Sequence, residues 1–154
     1  MPTDTSPIET APIDPGPGST AGPATNAAVT EFLDAIVTAD VASCAAWADA
    51  VHLDATVPNW RLELDGAQAV RAEYARWFAF PGRFEALRRL PTATGEVLDY
   101  VITWTERGIP HAAHHVHILD IEDDLIVADT VMCGGRWPAD LLAEIEAARG
   151  GSAS

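Results

Sequence analysis

The chain has 154 residues, one domain's worth, with 23 acidic side chains against nine arginines and a formal net charge of −14. Such a surface repels phosphate backbones and anionic lipid, which sets aside nucleic-acid and membrane binding. The absence of lysine excludes Schiff-base chemistry and a P-loop. An apolar fraction of 48% supports a real core. Cys44 and Cys133 form no C-x-x-C and read as reduced thiols. The first residues lack a basic, apolar leader, and no apolar run reaches the length of a membrane span, so a soluble cytoplasmic protein is expected.

Residues 1–25 are rich in Pro, Thr, Gly and Ala and read as a disordered tail, because they hold too little apolar surface to offset ordering. Gly16-Pro17-Gly18 with Gly22 is no dinucleotide fingerprint, since no strand precedes it. Asn26 can cap a helix over Ala27–Ala39, where Val29, Phe32, Leu33, Ile36 and Val37 form one stripe. Asp40 is the expected cap of a second, shorter helix carrying Val41, Cys44 and Trp47. Strand-like pieces follow at Val51–Thr56 and Trp60–Leu64, closed by Asp65-Gly66. A third helix is expected from Ala67 to about Phe80, stopped by Pro81-Gly82.

From there the period becomes two. Strands are expected at Arg83–Leu90, Val97–Glu106, His111–Ile121 and Leu125–Cys133, with turns at Pro91–Gly95, Gly108–Pro110 and Glu122–Asp124. Pro138 can start a closing helix with Leu141, Leu142 and Ile145 on one side. The domain thus spans 26–148, and 149–154 should be loose. Helices first, then hairpin-linked strands, give an α+β class: an antiparallel sheet with helices on one side, leaving a pocket where a small molecule can bind.

Four of the five histidines lie between His111 and His117. Alternation puts His111, His115, His117, Leu119 and Ile121 on one face, and His114, Val116, Ile118 and Asp120 on the other. The first face is taken as the inner one, with His115 and His117 inside. Two imidazoles on one strand face could hold a metal with Asp54 or Asp129, but nothing at metal-site spacing supplies the set, and no metal is expected. Asp129, midway along the last strand, can set the tautomer of an imidazole; the plainer alternative is a solvated face. Trp60, Trp77, Trp104 and Trp137 could simply fill the core, or one or two of them could wall a pocket for a flat polycyclic ligand. Arg88 and Arg89 must face opposite ways and read as surface ion-pair residues. Cys133-Gly134-Gly135-Arg136-Trp137 reads as a flexible exit from the sheet at the pocket rim.

Glu31–Ile36, the pair of helices, Trp47–Val51, the Asp65-Gly66 before the third helix and the hairpin through Glu122–Ile126 follow one another in an order that resembles the nuclear-transport-factor-2-like superfamily. The nearest likeness is to its SnoaL-like polyketide-cyclase and ketosteroid-isomerase-like branch, over about Ala27 to Arg136. The resemblance implies a cone-shaped barrel, with a curved antiparallel sheet around N-terminal helices and a C-terminal helix. It also implies a homodimer through the outer sheet face and no cofactor. It places the isomerases' general base at Asp54, where an apolar setting of Leu53, Val57 and Trp60 would raise the carboxyl pKa; the alternative is an aspartate capping the turn at Pro58. Phe32 stands where the isomerases have a donor tyrosine, and His115 and His117 lie on the strand of their protonated aspartate.

The expected function is a small cofactor-free enzyme acting on an apolar cyclic or polyketide-like molecule by isomerisation, aldol-type cyclisation or dehydration. Asp54 would be the base, His117 or His115 the acid or oxyanion donor, and Phe32, Trp60, Trp77, Trp104 and Asp129 would lie on the substrate side. The alternative is a non-catalytic module of the same fold that binds a hydrophobic small molecule or a protein.

Overall fold

The computed structural model describes residues 25–151. The tail expected over 1–25 falls, except for its last residue, outside the described residues. Helix α1 spans Ala27–Thr38 and begins as its cap predicts: the Asn26 side chain accepts from the Ala28 and Val29 amides at 2.9 and 3.3 Å. These two bonds satisfy donors that the first turn leaves open. The helix buries Val29, Phe32, Leu33 and Ile36 and ends at Ala39, which is left-handed with φ 58°.

The second helix expected after Asp40 does not form. Asp40 makes no capping bond, only a short 3-10 turn spans Val41–Ser43, and Cys44 is already extended. Trp47 instead opens strand β1, Trp47–Val57, which turns at Pro58-Asn59 into β2, Trp60–Asp65. Helix α2 spans Ala67–Trp77, shorter than expected, because Phe78 leaves helical geometry ahead of Pro81. The chain then runs through β3 (Gly82–Pro91), β4 (Gly95–Glu106), β5 (Ile109–Glu122) and β6 (Leu125–Cys133). A short unexpected strand, β7 (Trp137–Pro138), leads into α3 (Ala139–Gly151). That helix continues through Arg149, past the expected end of the domain at residue 148.

The strand order is β2-β1-β6-β5-β4-β3, with β7 added beside β5. All pairs are antiparallel except β1 with β6, which is parallel. Register shifts interrupt β1 against β6, β3 at Phe84/Ala86 and the β5–β6 pair at Asp120/Ile121. Such bulges bend a sheet and raise its twist, and here they curl it over α1 and α2. The buried core lies between the concave face and these helices, with Phe32 in ring contact with Trp47, Tyr74 and Phe78. This α+β cone, with a curved open sheet, inner helices and a C-terminal helix, is the expected class. Among the described residues no helix is long and apolar enough to cross a membrane.

Candidate active site

The concave face is read off by alternation. On β4 it carries Leu98, Tyr100, Ile102 and Trp104; on β5, Ala113, His115, His117 and Leu119. The β4–β5 turn at Arg107-Gly108 has positive φ at both positions, 51° and 78°. Such a two-residue turn fixes the register, which sets Tyr100 opposite His115 and Leu98 opposite His117. On β6 the shift at Asp120/Ile121 puts Asp129 opposite Leu119, on the inner face.

These residues form one hydrogen-bonded chain. The Tyr100 hydroxyl lies 3.0 Å from His115 Nδ1 and 2.9 Å from His117 Nε2. His117 Nδ1 lies 3.1 Å from both Asp129 oxygens, and the Tyr74 hydroxyl donates to Asp129 Oδ2 at 2.5 Å. His115, His117, Asp129, Tyr100 and Tyr74 are all buried, Asp129 at 1% exposure. A buried carboxylate is tolerated only when paired and bonded, and Asp129 is both. The solvated face considered for Asp129 is therefore not where it lies. Burial and the Asp129 charge push both tyrosines well above the ordinary phenol pKa. Burial, with His117 and His114 adding to it, pulls His115 down to about 3.

With Asp129 a carboxylate and both imidazoles neutral, the proton positions follow from counting. As a carboxylate Asp129 only accepts, so His117 presents Nδ1–H to it. A neutral His117 then accepts at Nε2, and Tyr100 must donate there. The tyrosine oxygen is left to accept, so His115 donates from Nδ1. His115 Nε2, which takes part in none of the side-chain bonds, is left as a bare acceptor. Tyr100 has only one proton, so the chain can point only one way at a time.

His115 is also part of the wall of a cavity of about 240 Å³. Trp77, Phe78, Phe80, Ile102 and Trp104 supply most of its apolar lining, and Arg76, Arg136 and Cys133 also line it. Trp77 and Phe78 lie edge-on to the His115 ring at 5.8 and 5.6 Å. At the cavity's edge, His111 stacks on Trp104 at 5.4 Å. Among the described residues no group of three or more His, Cys, Asp or Glu could hold a metal ion.

The structure thus brings His115, His117 and Asp129 together and sets Trp77 and Trp104 on the cavity wall. It corrects three expectations. Asp54 points to the outer face, since Leu53 and Ala55 take the inner positions, and Arg61 binds both its oxygens at 2.9 and 2.6 Å. That guanidinium holds the Asp54 carboxyl below the usual range, opposite to the expected rise. Trp60 lies on the edge strand β2 at 70% exposure and does not line the cavity. Phe32 is core, packed edge-on beneath His117 at 5.5 Å and absent from the cavity wall. Sequence reading missed Tyr100 and Tyr74 as polar groups of the site. The signal for Tyr100 was available: a turn centred on Arg107-Gly108 sets it opposite His115.

No family model and no curated protein matches the chain. Solved structures do. An NTF2-like protein from Anabaena variabilis superposes with a TM-score of 0.58 at 13% identity, covering 70% of this chain and 84% of that one. A protein with a ketosteroid-isomerase-like fold from Catenulispora acidiphila, in complex with trimethylamine, gives 0.54 at 15%, covering 70% and 85%. A candidate polyketide cyclase from Xanthomonas campestris gives 0.53 at 16%, covering 68% and 86%. The chain has the NTF2-like, ketosteroid-isomerase-like fold.

Proposed function

We propose that this protein catalyses proton transfer on an apolar, ring-bearing small molecule, giving isomerisation, aldol-type cyclisation or dehydration, with His115 taking and returning the proton. The reading rests on the chain from His115 through Tyr100 and His117 to Asp129, which starts at the cavity wall and ends at a buried carboxylate. Alone, a ring held near 3 would be a poor base at neutral pH. In the chain it need not keep the proton. As Nε2 takes a proton from the ligand, Nδ1 passes its own to Tyr100 oxygen, and Tyr100 passes its own to His117 Nε2. The products are an imidazolium at His117 facing the Asp129 carboxylate and a donor Nε2–H on His115, ready to return the proton at a second atom. Tyr74 holds Asp129 in place. The candidate cyclase among the similar structures fits this class of chemistry.

The test is solvent deuterium exchange at the carbons beside the ketone of 2-tetralone, followed by NMR. His115→Gln and Tyr100→Phe should each slow exchange by about 10²–10⁴-fold. Asp54→Asn, on the outer face, should leave the rate unchanged. Exchange that survives His115→Gln, or that depends on Asp54, sinks the assignment. Binding of the ketone without exchange would favour the non-catalytic module.

We also propose a homodimer. Leu90, Ile118 and Met132 are each about half exposed on the outer face, at 45%, 45% and 46%. Leu90 and Ile118 both sit opposite Val97 on its two sides, and Met132 opposite Val116, so they form one apolar band. A second copy would cover it.

A further inference from the structure

The charged lining of the cavity has one sign. Arg76 and Arg136 line it and no aspartate or glutamate does, in a chain with 23 acidic residues and nine arginines. Both arginines are largely exposed and pair with carboxylates that are not part of the wall. Glu73 accepts from Arg76 Nη1 at 3.0 Å with one oxygen and from the Trp77 indole at 2.9 Å with the other, locking two wall residues together. Glu106 accepts from Arg136 Nη2, and the Arg136 guanidinium lies 5.6 Å over the Trp104 ring. Each guanidinium has five N–H donors, and its glutamate takes one, so donors remain for a ligand.

The position of Arg136 is built by the segment that sequence alone reads as a flexible exit. β6 ends at Cys133, itself on the wall, and the Gly135 amide returns to its sulfur at 3.3 Å. Gly135 has φ 107°, a backbone conformation that favours glycine, and a Cβ there would crowd Pro58 Cγ at 3.1 Å. The Trp137 indole then donates to Gly134 oxygen at 3.3 Å, and Trp137 pairs with Ala112 of β5. This is a tied turn that aims one arginine at the cavity.

We infer that the pocket takes a compact, flat apolar molecule bearing a carboxylate. The rings lie against Trp77, Phe78 and Trp104, and the carboxylate meets Arg76 and Arg136. The inference rests on this cavity being the ligand site of the proposed function. Charge-assisted bonds from a preset guanidinium give directional recognition, and apolar walls strengthen them. The test compares 2-naphthoate with its neutral isostere 2-naphthamide, by tryptophan fluorescence titration and by the indole N–H resonances of Trp77 and Trp104. Naphthoate should bind at least about tenfold tighter, the scale of one hydrogen bond to a charged group. Arg76→Gln and Arg136→Gln together should reduce that preference to within about threefold while naphthamide affinity holds, which also reports that the fold is intact. Equal affinities in the unmodified protein, or a preference that survives both substitutions, overturn the inference and leave the pocket standing. If neither probe moves the Trp77 or Trp104 resonances, the cavity is not the ligand site, and the proposed function falls with the inference.

Discussion

His115 shows how one residue reports on its setting. Its ordinary value is 6.5 and its folded value about 3. Between these the unfolded chain binds a proton that the folded chain refuses. The stability tied to this ring is therefore complete above pH 6.5 and lost as pH falls toward 3. Between pH 7 and pH 5 the loss should be about 2 kcal/mol. Carboxyls held low by partners, such as Asp54 by Arg61 and Asp99 by His114 and Arg88, lose their contributions only below the ordinary carboxylate value, outside this window. His52, raised by Asp65, acts with the opposite sign, but equally in any His115 variant. Urea unfolding at both pH values should thus show a shallower acid loss in His115→Gln than in the parent. Equal losses would mean that His115 is not buried and neutral.

At the scale of elements, two adjacent arginines on β3 have different weights because the strand alternates. Arg88 faces out and meets Asp99 at 3.0 Å in an exposed pair. Arg89 faces in: it binds the largely buried Glu96, the Asn26 carbonyl at 3.1 Å and Thr30 Oγ1 at 2.8 Å, while Glu96 accepts from the Asn26 amide. This clamp ties the start of α1 to the β3–β4 hairpin. Arg89→Ala leaves Glu96 buried and unpaired and should cost about 3–5 kcal/mol, whereas Arg88→Ala should cost under about 1 kcal/mol. Chemical denaturation of the two variants checks this, and equal costs would contradict the clamp. That Arg88 and Arg89 face opposite ways was legible in the sequence; that Arg89 holds a helix end was not. Most strands, α1 with its cap, and the inward His115 and His117 were also legible, because period and capping are local. The face of Asp129 was hidden. An unbroken register from the Asp123-Asp124 turn sets it opposite the outward Ile118, and only the bulge near Asp120 moves it opposite Leu119. Asp54 fails for the reverse reason. Alternation with Leu53 already turned it outward, and the spacing carried by the family resemblance outweighed that local signal.

The molecule as a whole is a curved sheet with distinct faces. The concave face holds the core, the polar chain and the cavity; the convex face holds the apolar band around Ile118 and the Asp54–Arg61 pair. The proposed dimer predicts twice the monomer mass in sedimentation equilibrium, and Ile118→Glu should return it to the monomer; a monomer in the unmodified protein would remove the dimer and leave the cavity untouched. The central claim is that His115, Tyr100, His117 and Asp129 act as one proton-carrying unit. It is tested most directly by ¹⁵N NMR of the two imidazoles through an acid titration. The account predicts that at high pH both rings carry their proton on Nδ1. As His117 takes its second proton, His115 should switch to Nε2–H at the same midpoint, and Tyr100→Phe should uncouple the two events. A His115 tautomer that ignores the state of His117, or that already carries its proton on Nε2 at high pH, would contradict it.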